Sequence, residues 1–549
     1  MRSKSVWLSL LVVLMLAAMV FFAACGQEAE VEDPDEPETP ADPVDEAEED
    51  EGPKEGGVLV IGVGADTVSM DYHLMSCWPS RQAIQYMYDP LLRLDEDEEL
   101  QPVLATSWEA VDDGLAYVFH LRDDVTFHDG TRFDAEAVKF NFERILDPEV
   151  GSLHLSRWDE HIESIEVLDD FTVKFNLFDI YVDFLEQMTW SSGILSPTAV
   201  EAAGEDFARN PVGAGPFMFK EYVPGSHIDY VRFDDYWGGT PYLDGLKVRI
   251  IPEASTRVIE TEAGNLDLVY GVEPKDIPRL EDAGVLIEDR VTPSYQMVAL
   301  NLADGPTAEL EVRRAIARAI DVQLIIDEVL LGAAEVSRAG VPSASPFYHA
   351  DVPMPEFDVA EAEQILDDAG WIMGDDGIRY KDGEPLEIII LTSDSELRVL
   401  YSQIIQEQLN SVGFDAEIVS LEWGTYLDAI RAGEYHVSWW SLGGFAHRIG
   451  TGTGNLHSDT YWNVSQIARQ PALAEVSQQV DDIIDTVLET VDYSKRVELI
   501  GEFQQIAYDH QLKFWLWHGI SHNPVQPWVK GYHLYNYNIF WLEDAWLDK

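Results

Sequence analysis

Residues 386–440 read LEIIILTSDSELRVLYSQIIQEQLNSVGFDAEIVSLEWGTYLDAIRAGEYHVSWW and alternate between two kinds of pattern. Short apolar runs at 386–391, 414–419 and 435–440 read as strands, and the longer stretches 396–412 and 423–432 carry apolar residues at helical spacing. Strands alternating with helices of this length require right-handed crossovers and a parallel sheet, so the fold here is α/β. Open parallel sheets take ligands beyond the carboxyl ends of their strands. That rule directs attention to the residues immediately after Trp440.

Towards the C terminus, 473–489 and 493–510 read as helices and 513–517 as an aromatic strand. Towards the N terminus, 309–319 is an amphipathic helix, and Asp358 caps another that ends at Ala369-Gly370. The pattern changes near Val298. Before it, past a Gly56-Gly57 junction, 58–63 reads as a buried strand. Strands at 116–121, 165–168 and 171–177 follow, the last two around the turn pair Asp169-Asp170. One helix, 135–146, interrupts them with Asp134 as its N-cap. Pro224-Gly225 joins strands 217–222 and 227–233, and 246–251 is a further strand. There is no internal repeat. Residues 56–549 exceed one ordinary core, and 46% hydrophobic content with 11% aromatic suffices for two or three lobes.

The first residues read as an export signal: basic Arg2 and Lys4, then an apolar run from 6 to 24 ending in small residues. Phe22-Ala23-Ala24-Cys25-Gly26 resembles the lipobox of bacterial lipoproteins, with Phe22 where Leu is commoner. The resemblance implies cleavage before Cys25 and lipid attachment to it; the alternative is an uncut signal anchor. Both put the remainder outside the cytoplasm. From 27 to 55 the chain holds fifteen acidic residues and the single Lys54, a self-repelling composition that predicts an extended tether.

The formal charge is −66, of which residues 1–24 carry +2 and residues 27–55 carry −14, leaving −54 on the globular part. Such a surface excludes nucleic acid, whose phosphates need a basic patch. It also predicts self-repulsion that salt relieves, hence a saline habitat and higher stability in molar salt. The two cysteines offer no disulfide framework if Cys25 is lipidated, and Cys77 is expected to be a small packed residue.

Six segments carry a resemblance that covers essentially all of 56–549. They are Leu104-Ala105-Thr106-Ser107-Trp108, Phe127-His128-Asp129-Gly130, and Asn210-Pro211-Val212-Gly213-Ala214-Gly215-Pro216-Phe217. The others are Tyr236-Trp237 with Pro241-Tyr242-Leu243-Asp244, Arg314-Ala315-Ile316 through Ala319-Ile320-Asp321, and Ala369-Gly370-Trp371. In this order and spacing the chain resembles the extracytoplasmic solute-binding proteins of dipeptide, oligopeptide and nickel ABC importers. The resemblance implies a periplasmic-binding-protein-like fold: two α/β lobes joined by a hinge of two crossing segments, with an extra α+β domain inserted in the first lobe. The boundaries it suggests are 1–24 signal peptide and 25–56 lipidated Cys plus acidic tether. Lobe one comprises 57–92, 200–297 and 512–549, with 93–199 inserted, and 298–511 forms lobe two. It implies ligand capture between the lobes, handover to importer permease subunits, a monomer, and no cofactor. Within the motifs, His128 is expected to be a hydrogen-bonded scaffold residue, and Gly213 to Pro216 to set backbone geometry near the hinge.

Peptide-binding members of that family place an acid just after the strand corresponding to 435–440, where it pairs with the peptide's α-ammonium. Here Ser441-Leu442-Gly443-Gly444-Phe445-Ala446-His447-Arg448 has no carboxylate, and the next is Asp459. An uncompensated cation in a cleft is costly, so recognition of a free amino terminus needs Asp459 or a residue of lobe one. Arg398 falls within about a residue of the arginine that receives the ligand carboxylate in dipeptide-binding members; a solvated helix-end arginine is the alternative. Aromatic residues gather instead: Trp423, Trp439, Trp440, Phe445, Tyr461 and Trp462, with Trp78 in the loop after the first strand. Flat rings suit sugar faces or apolar side chains, and only one of Trp439 and Trp440 faces a given side. Ligand-contact candidates are therefore Trp440, Phe445, Trp423, Trp462, Tyr461, Trp78 and Arg398. An oligopeptide is the first expectation and an oligosaccharide the second.

Metal cargo finds little support. His518 and His522 are four apart but lie past a strand and straddle Gly519, and His447 and His457 flank a glycine-rich loop without a metal-binding spacing. Asp95-Glu96-Asp97-Glu98-Glu99 lacks the glycine of a calcium loop and reads as a solvated turn. A secreted hydrolase is the rival from another class. The sequence has no G-x-S-x-G elbow, metalloprotease motif or phosphate loop, so no catalytic residue is assigned.

Overall fold

Val58–Val63, strand β1, carries no polar side chain because it lies inside a sheet, parallel to a neighbour on each edge. At Gly62 a Cβ would come within 2.9 Å of Leu266 and 3.2 Å of Val269, so a side chain has no room. The computed structural model describes residues 52–549 except 76, 97, 191, 338–339, 344, 443–455, 459–463 and 536–537. Cys25, the signal and the tether up to residue 51, with Phe445, Asp459, Tyr461 and Trp462, lie outside the described residues.

Helix α1 (Trp78–Ile84) follows, with Pro79 in its first turn. Trp78 therefore opens a helix and is not in a loop, a position that proline favours because its missing N–H would have no helical partner. Cys77 is exposed at the N-cap, its Sγ 3.2 Å from Ser80 Oγ, and is not packed as expected. Strands β2 (Ala105–Val111), β3 (Ala116–Leu121), β4 (Ile162–Asp169) and β5 (Thr172–Leu177) make a separate antiparallel sheet in the order β2-β3-β5-β4. Helix α2 (Ala135–Leu146) packs on it, its first turn held by Asp134 Oδ1 accepting from Ala137 N at 3.0 Å. Helix α3 (Phe184–Trp190) completes this unit. Its core is aromatic: Phe142 meets Phe175 and Trp158 edge-on at 4.8 and 5.4 Å.

The motif glycines tie this unit to its surroundings. His128 Nε2 lies 2.9 Å from Gly215 O, and Gly213 N donates to Nδ1 at 3.4 Å, so the Nε2 proton faces the carbonyl. Burial holds this imidazole neutral, down to about 4. A Cβ on Gly213 or Gly215 would stand 2.0 or 2.7 Å from the Met87 backbone, so close chain approach dictates both glycines.

Next come β6 (Phe217–Val223), β7 (His227–Arg232), β8 (Gly245–Ile250), β9 (Leu268–Val269) and the fifteen-residue β10 (Leu286–Leu300). Helix α4 (Leu310–Ala319), strand β11 (Ala334–Val336) and helix α5 (Val359–Asp368) precede the α/β stretch at 386–440. That stretch forms β12 (Glu387–Ser393), α6 (Glu396–Ser411), β13 (Asp415–Leu421), α7 (Trp423–Ala432) and β14 (Val437–Leu442). β12 pairs in parallel with both β13 and β14, as the alternation requires. Helices α8 (Ala474–Glu489) and α9 (Tyr493–Asp509) lead to β15 (Lys513–Val525).

All of these strands outside the β2–β5 unit belong to one eleven-stranded sheet, ordered β13-β12-β14-β10-β15-β9-β1-β8-β7-β6, with β11 also on β15. β10 and β15 run antiparallel through its middle; β10 is not among the strands expected from the sequence, and β15 runs past the expected 513–517 to Val525. Between Val291↔Ile520 and Tyr295↔His518 the register slips: three residues, Thr292, Pro293 and Ser294, oppose Gly519 alone. Pro293 cannot donate to a ladder and is tolerated at this interruption. One apolar core gathers around 295–517 and another around 59–88, 195–270 and 525–547. No helix among the described residues is long and apolar enough to cross a membrane.

Candidate functional site

At the carboxyl ends of β12 and β13, two helices begin side by side. α6 follows Ser393 after two residues, and α7 follows Leu421 after one. Glu422 caps α7, its Oε2 accepting from Gly424 N at 2.9 Å and Thr425 N at 3.3 Å. Trp423 and Tyr426 are three apart on this helix, which puts both on one face. Their rings stack with centroids 5.5 Å apart and planes 26° apart. Trp423 is 49% exposed, whereas Tyr426 is buried and its hydroxyl donates to Trp439 O.

Arg398, in the first turn of α6, reaches over this pair. Its Cζ stands 5.4 Å from the Trp423 ring centroid and 5.9 Å from that of Tyr426. The Nη1 atom is buried and has no hydrogen-bond partner among the described residues. A guanidinium nitrogen withheld from both water and protein acceptors is unfavourable, and an incoming carboxylate would satisfy it. The Tyr426 phenol is raised by burial, against the lowering effects of Ser438, the Arg398 charge and hydrogen bonding to the Arg398 guanidinium.

The structure thus brings Arg398 and Trp423 together and adds Tyr426, which the i,i+3 spacing from Trp423 could have revealed. Trp439 lies in the core at 1% exposure, its indole N–H donating to Ser402 Oγ at 2.6 Å and its ring near Tyr401 and Trp517. Trp440, paired with Met297, is 6% exposed and offers little surface. Trp78 joins a different group: its ring is 4.5 Å from Trp190, over which Arg81 stands at 4.1 Å.

The histidine pair is inside β15, not beyond a strand. His518 contacts Ser337 Oγ at 3.0 Å and Thr292 O at 3.2 Å, and burial lowers it to about 4. His522 Nδ1 is 2.6 Å from Asp289 Oδ1. These contacts serve the long strand pair. In the acidic run at 95–99, Asp95 organises the turn by accepting from Glu99 N and Gln101 Nε2, and Glu98 points inward at 5% exposure, unlike a fully solvated turn.

Comparison with known proteins agrees with this architecture. Residues 99–463 match the model of "Bacterial extracellular solute-binding proteins, family 5 Middle". The chain is 28% identical over 517 residues to the oligopeptide-binding protein AppA of Bacillus subtilis, covering 89% of this chain and 92% of AppA. It is 25% identical over 472 residues to heme-binding protein A of Haemophilus influenzae, covering 82% and 84% respectively. The solved structure of HbpA2 from Haemophilus parasuis shares the two-lobe fold, with a TM-score of 0.80 and 23% identity over 90% of this chain and all of that one. The chain belongs to the bacterial extracellular solute-binding proteins of family 5.

Proposed function

We propose that the protein captures an oligopeptide between its lobes and delivers it to an ABC importer, with Arg398 receiving a ligand carboxylate. The observation that carries this reading is the buried, unpartnered Nη1 of Arg398 beside the half-exposed Trp423, at the strand ends where α/β sheets take ligands. AppA, a peptide binder by name, aligns along 89% of the chain, which supports the ligand class. Lobe one, in this reading, is 57–92, 200–297 and 512–549, with 93–199 inserted, and lobe two is 298–511. β10 and β15 are the two crossing segments, and the three-against-one interruption at Thr292 to Ser294 is where they flex. A ligand that touches both lobes favours the closed arrangement by its differential affinity. Lipid on Cys25 holds the protein beside the permease and raises its effective concentration there.

An oligosaccharide is the second reading. It is favoured by the flat Trp423 and Tyr426 stack and by the lack of a carboxylate from Ser441 to Ser458. Denaturing the purified protein and identifying released ligand by mass spectrometry, then titrating with oligopeptides and oligosaccharides, decides between them. Recovery and saturable binding of peptides is the expected result. Saturable binding of sugars alone would replace the first reading with the second, and binding of neither class would end both.

A further inference from the structure

A cavity of about 480 Å3 opens between the β2–β5 unit and the start of α9, lined among others by Trp108, Tyr117, Glu186, Val491, Tyr493 and Arg496. Small-ligand pockets measure about 300–1,000 Å3. Arg398, Trp423 and Tyr426 do not line it, so an occupant here is independent of the peptide reading.

Four carboxylates border the cavity, Glu98, Glu99, Glu109 and Glu186, against the one guanidinium of Arg496. Glu99 and Glu109 are exposed and water satisfies them. Glu186 is different: it is 8% exposed, and its Oε2 is buried with no hydrogen-bond partner among the described residues. Arg496 forms no ion pair with Glu186 among the described residues: its Nη1 donates to Val182 O at 2.8 Å, its Cζ stands 5.3 Å from the Tyr493 ring, and its Nε is buried without a partner. A buried carboxylate left without a partner is costly, and an external cation offsets that cost. The cavity's phenols register the same charge. Burial and then Glu186 hold Tyr117 and Tyr493 above the ordinary tyrosine value, against the lowering effect of Arg496, with Tyr493 at about 12. Aromatic faces attract ammonium and guanidinium groups, and three aromatic side chains line this wall.

We propose that this cavity binds an organic cation bearing a primary ammonium or guanidinium group, with Glu186 as counter-charge and Trp108, Tyr117 and Tyr493 around its apolar body. The walls come from residues 94–186 on one side and 346–496 on the other, so an occupant stabilises their apposition.

The test is calorimetric titration of the full protein with 1,5-diaminopentane at fixed ionic strength, with its uncharged N,N′-diacetyl derivative as control. A second arm compares trilysine with trialanine. The expected result is one saturable site for the diamine, for trilysine, or for both, weakened at least about tenfold in E186Q. Diamine binding alone marks a free amine as occupant, and trilysine binding alone marks the ammonium groups of a peptide. Because an acidic protein gathers any cation, unsaturable uptake, or equal affinity in E186Q, overturns the proposal. Unliganded E186Q is expected to melt no lower than the wild type, since it loses an uncompensated charge. A lower melting temperature would mean that the carboxylate has a partner within the fold, and would also overturn it.

Discussion

Arg398→Met keeps an unbranched aliphatic chain against Trp423 and Tyr426 while removing the guanidinium. Nη1 has no acceptor among the described residues, so a ligand carboxylate there adds a charge-assisted hydrogen bond without displacing one that Nη1 already makes to them. Such a bond contributes about 1.5–3 kcal/mol, and at about 1.4 kcal/mol per decade the variant binds a tripeptide roughly ten to a hundred times more weakly. The C-terminal amide of the same peptide lacks the charge. The wild type should bind it more weakly by a similar factor, and Arg398→Met should make little further difference, closing a cycle between residue and ligand group. In the unliganded state the substitution removes a buried unsatisfied N–H and loses a ring contact of about 0.5–1 kcal/mol, so stability should be unchanged or slightly raised. Calorimetric titration with peptide acid and amide, together with a thermal melt of each protein, measures all four corners. Equal wild-type affinity for acid and amide refutes the assignment, as does equal weakening of both by the substitution.

Arg144 of α2 pairs with Asp71 at 2.6 Å, with side-chain exposures of 13% and 2%, and its Nη1 meets His73 Nδ1 at 2.8 Å. Arg144→Met strands that carboxylate and should cost about 3–5 kcal/mol, seen as faster hydrogen exchange across residues 135–146; unchanged exchange there would show that the pair is energetically idle. His518 is held near 4 by burial, below its unfolded value of about 6.5. As pH falls through that window the unfolded chain takes up the proton first, so this stability is present at neutral pH and lost on acidification. The advantage of the wild type over His518→Gln should shrink by about 3 kcal/mol between roughly pH 7.5 and 4, and parallel curves would count against the buried neutral imidazole. Cys25→Ala should shift the protein from the membrane fraction to the soluble fraction with unchanged ligand affinity; retention on membranes would rule out the lipid anchor.

The α/β alternation at 386–440 was legible because α6 and α7 each bury one stripe at helical spacing, while the apolar runs between them are short, of strand length and rich in β-branched residues. The long strands were not. β10 carries Glu288, Asp289, Arg290 and Pro293, and β15 carries His518, Gly519, Ser521, His522 and Asn523, which interrupt the apolar pattern of a buried strand. Their polarity is satisfied across the pair: Asn523 Nδ2 donates to Glu288 O at 3.1 Å, and His522 contacts Asp289. Sequence alone also could not say which of two adjacent tryptophans faces outward, and both Trp439 and Trp440 are buried. Glu186 was invisible for another reason. It is one of 101 acidic residues, and its burial with an unpartnered oxygen, shared by few others, together with its place on the cavity wall, is visible only in the fold.

The position of β15 in the sheet sets an order of events. It lies between β10 and β9, so neither half of the sheet is complete until residues near 525 have been made. An emerging chain that lacks them exposes two open strand edges and cannot settle into its final pairing. Contacts separated by hundreds of residues form slowly, because loop closure precedes any reward. Until β15 is available, the strands on its two flanks pair only among themselves, so closure of the sheet waits on one late strand and not on either flank.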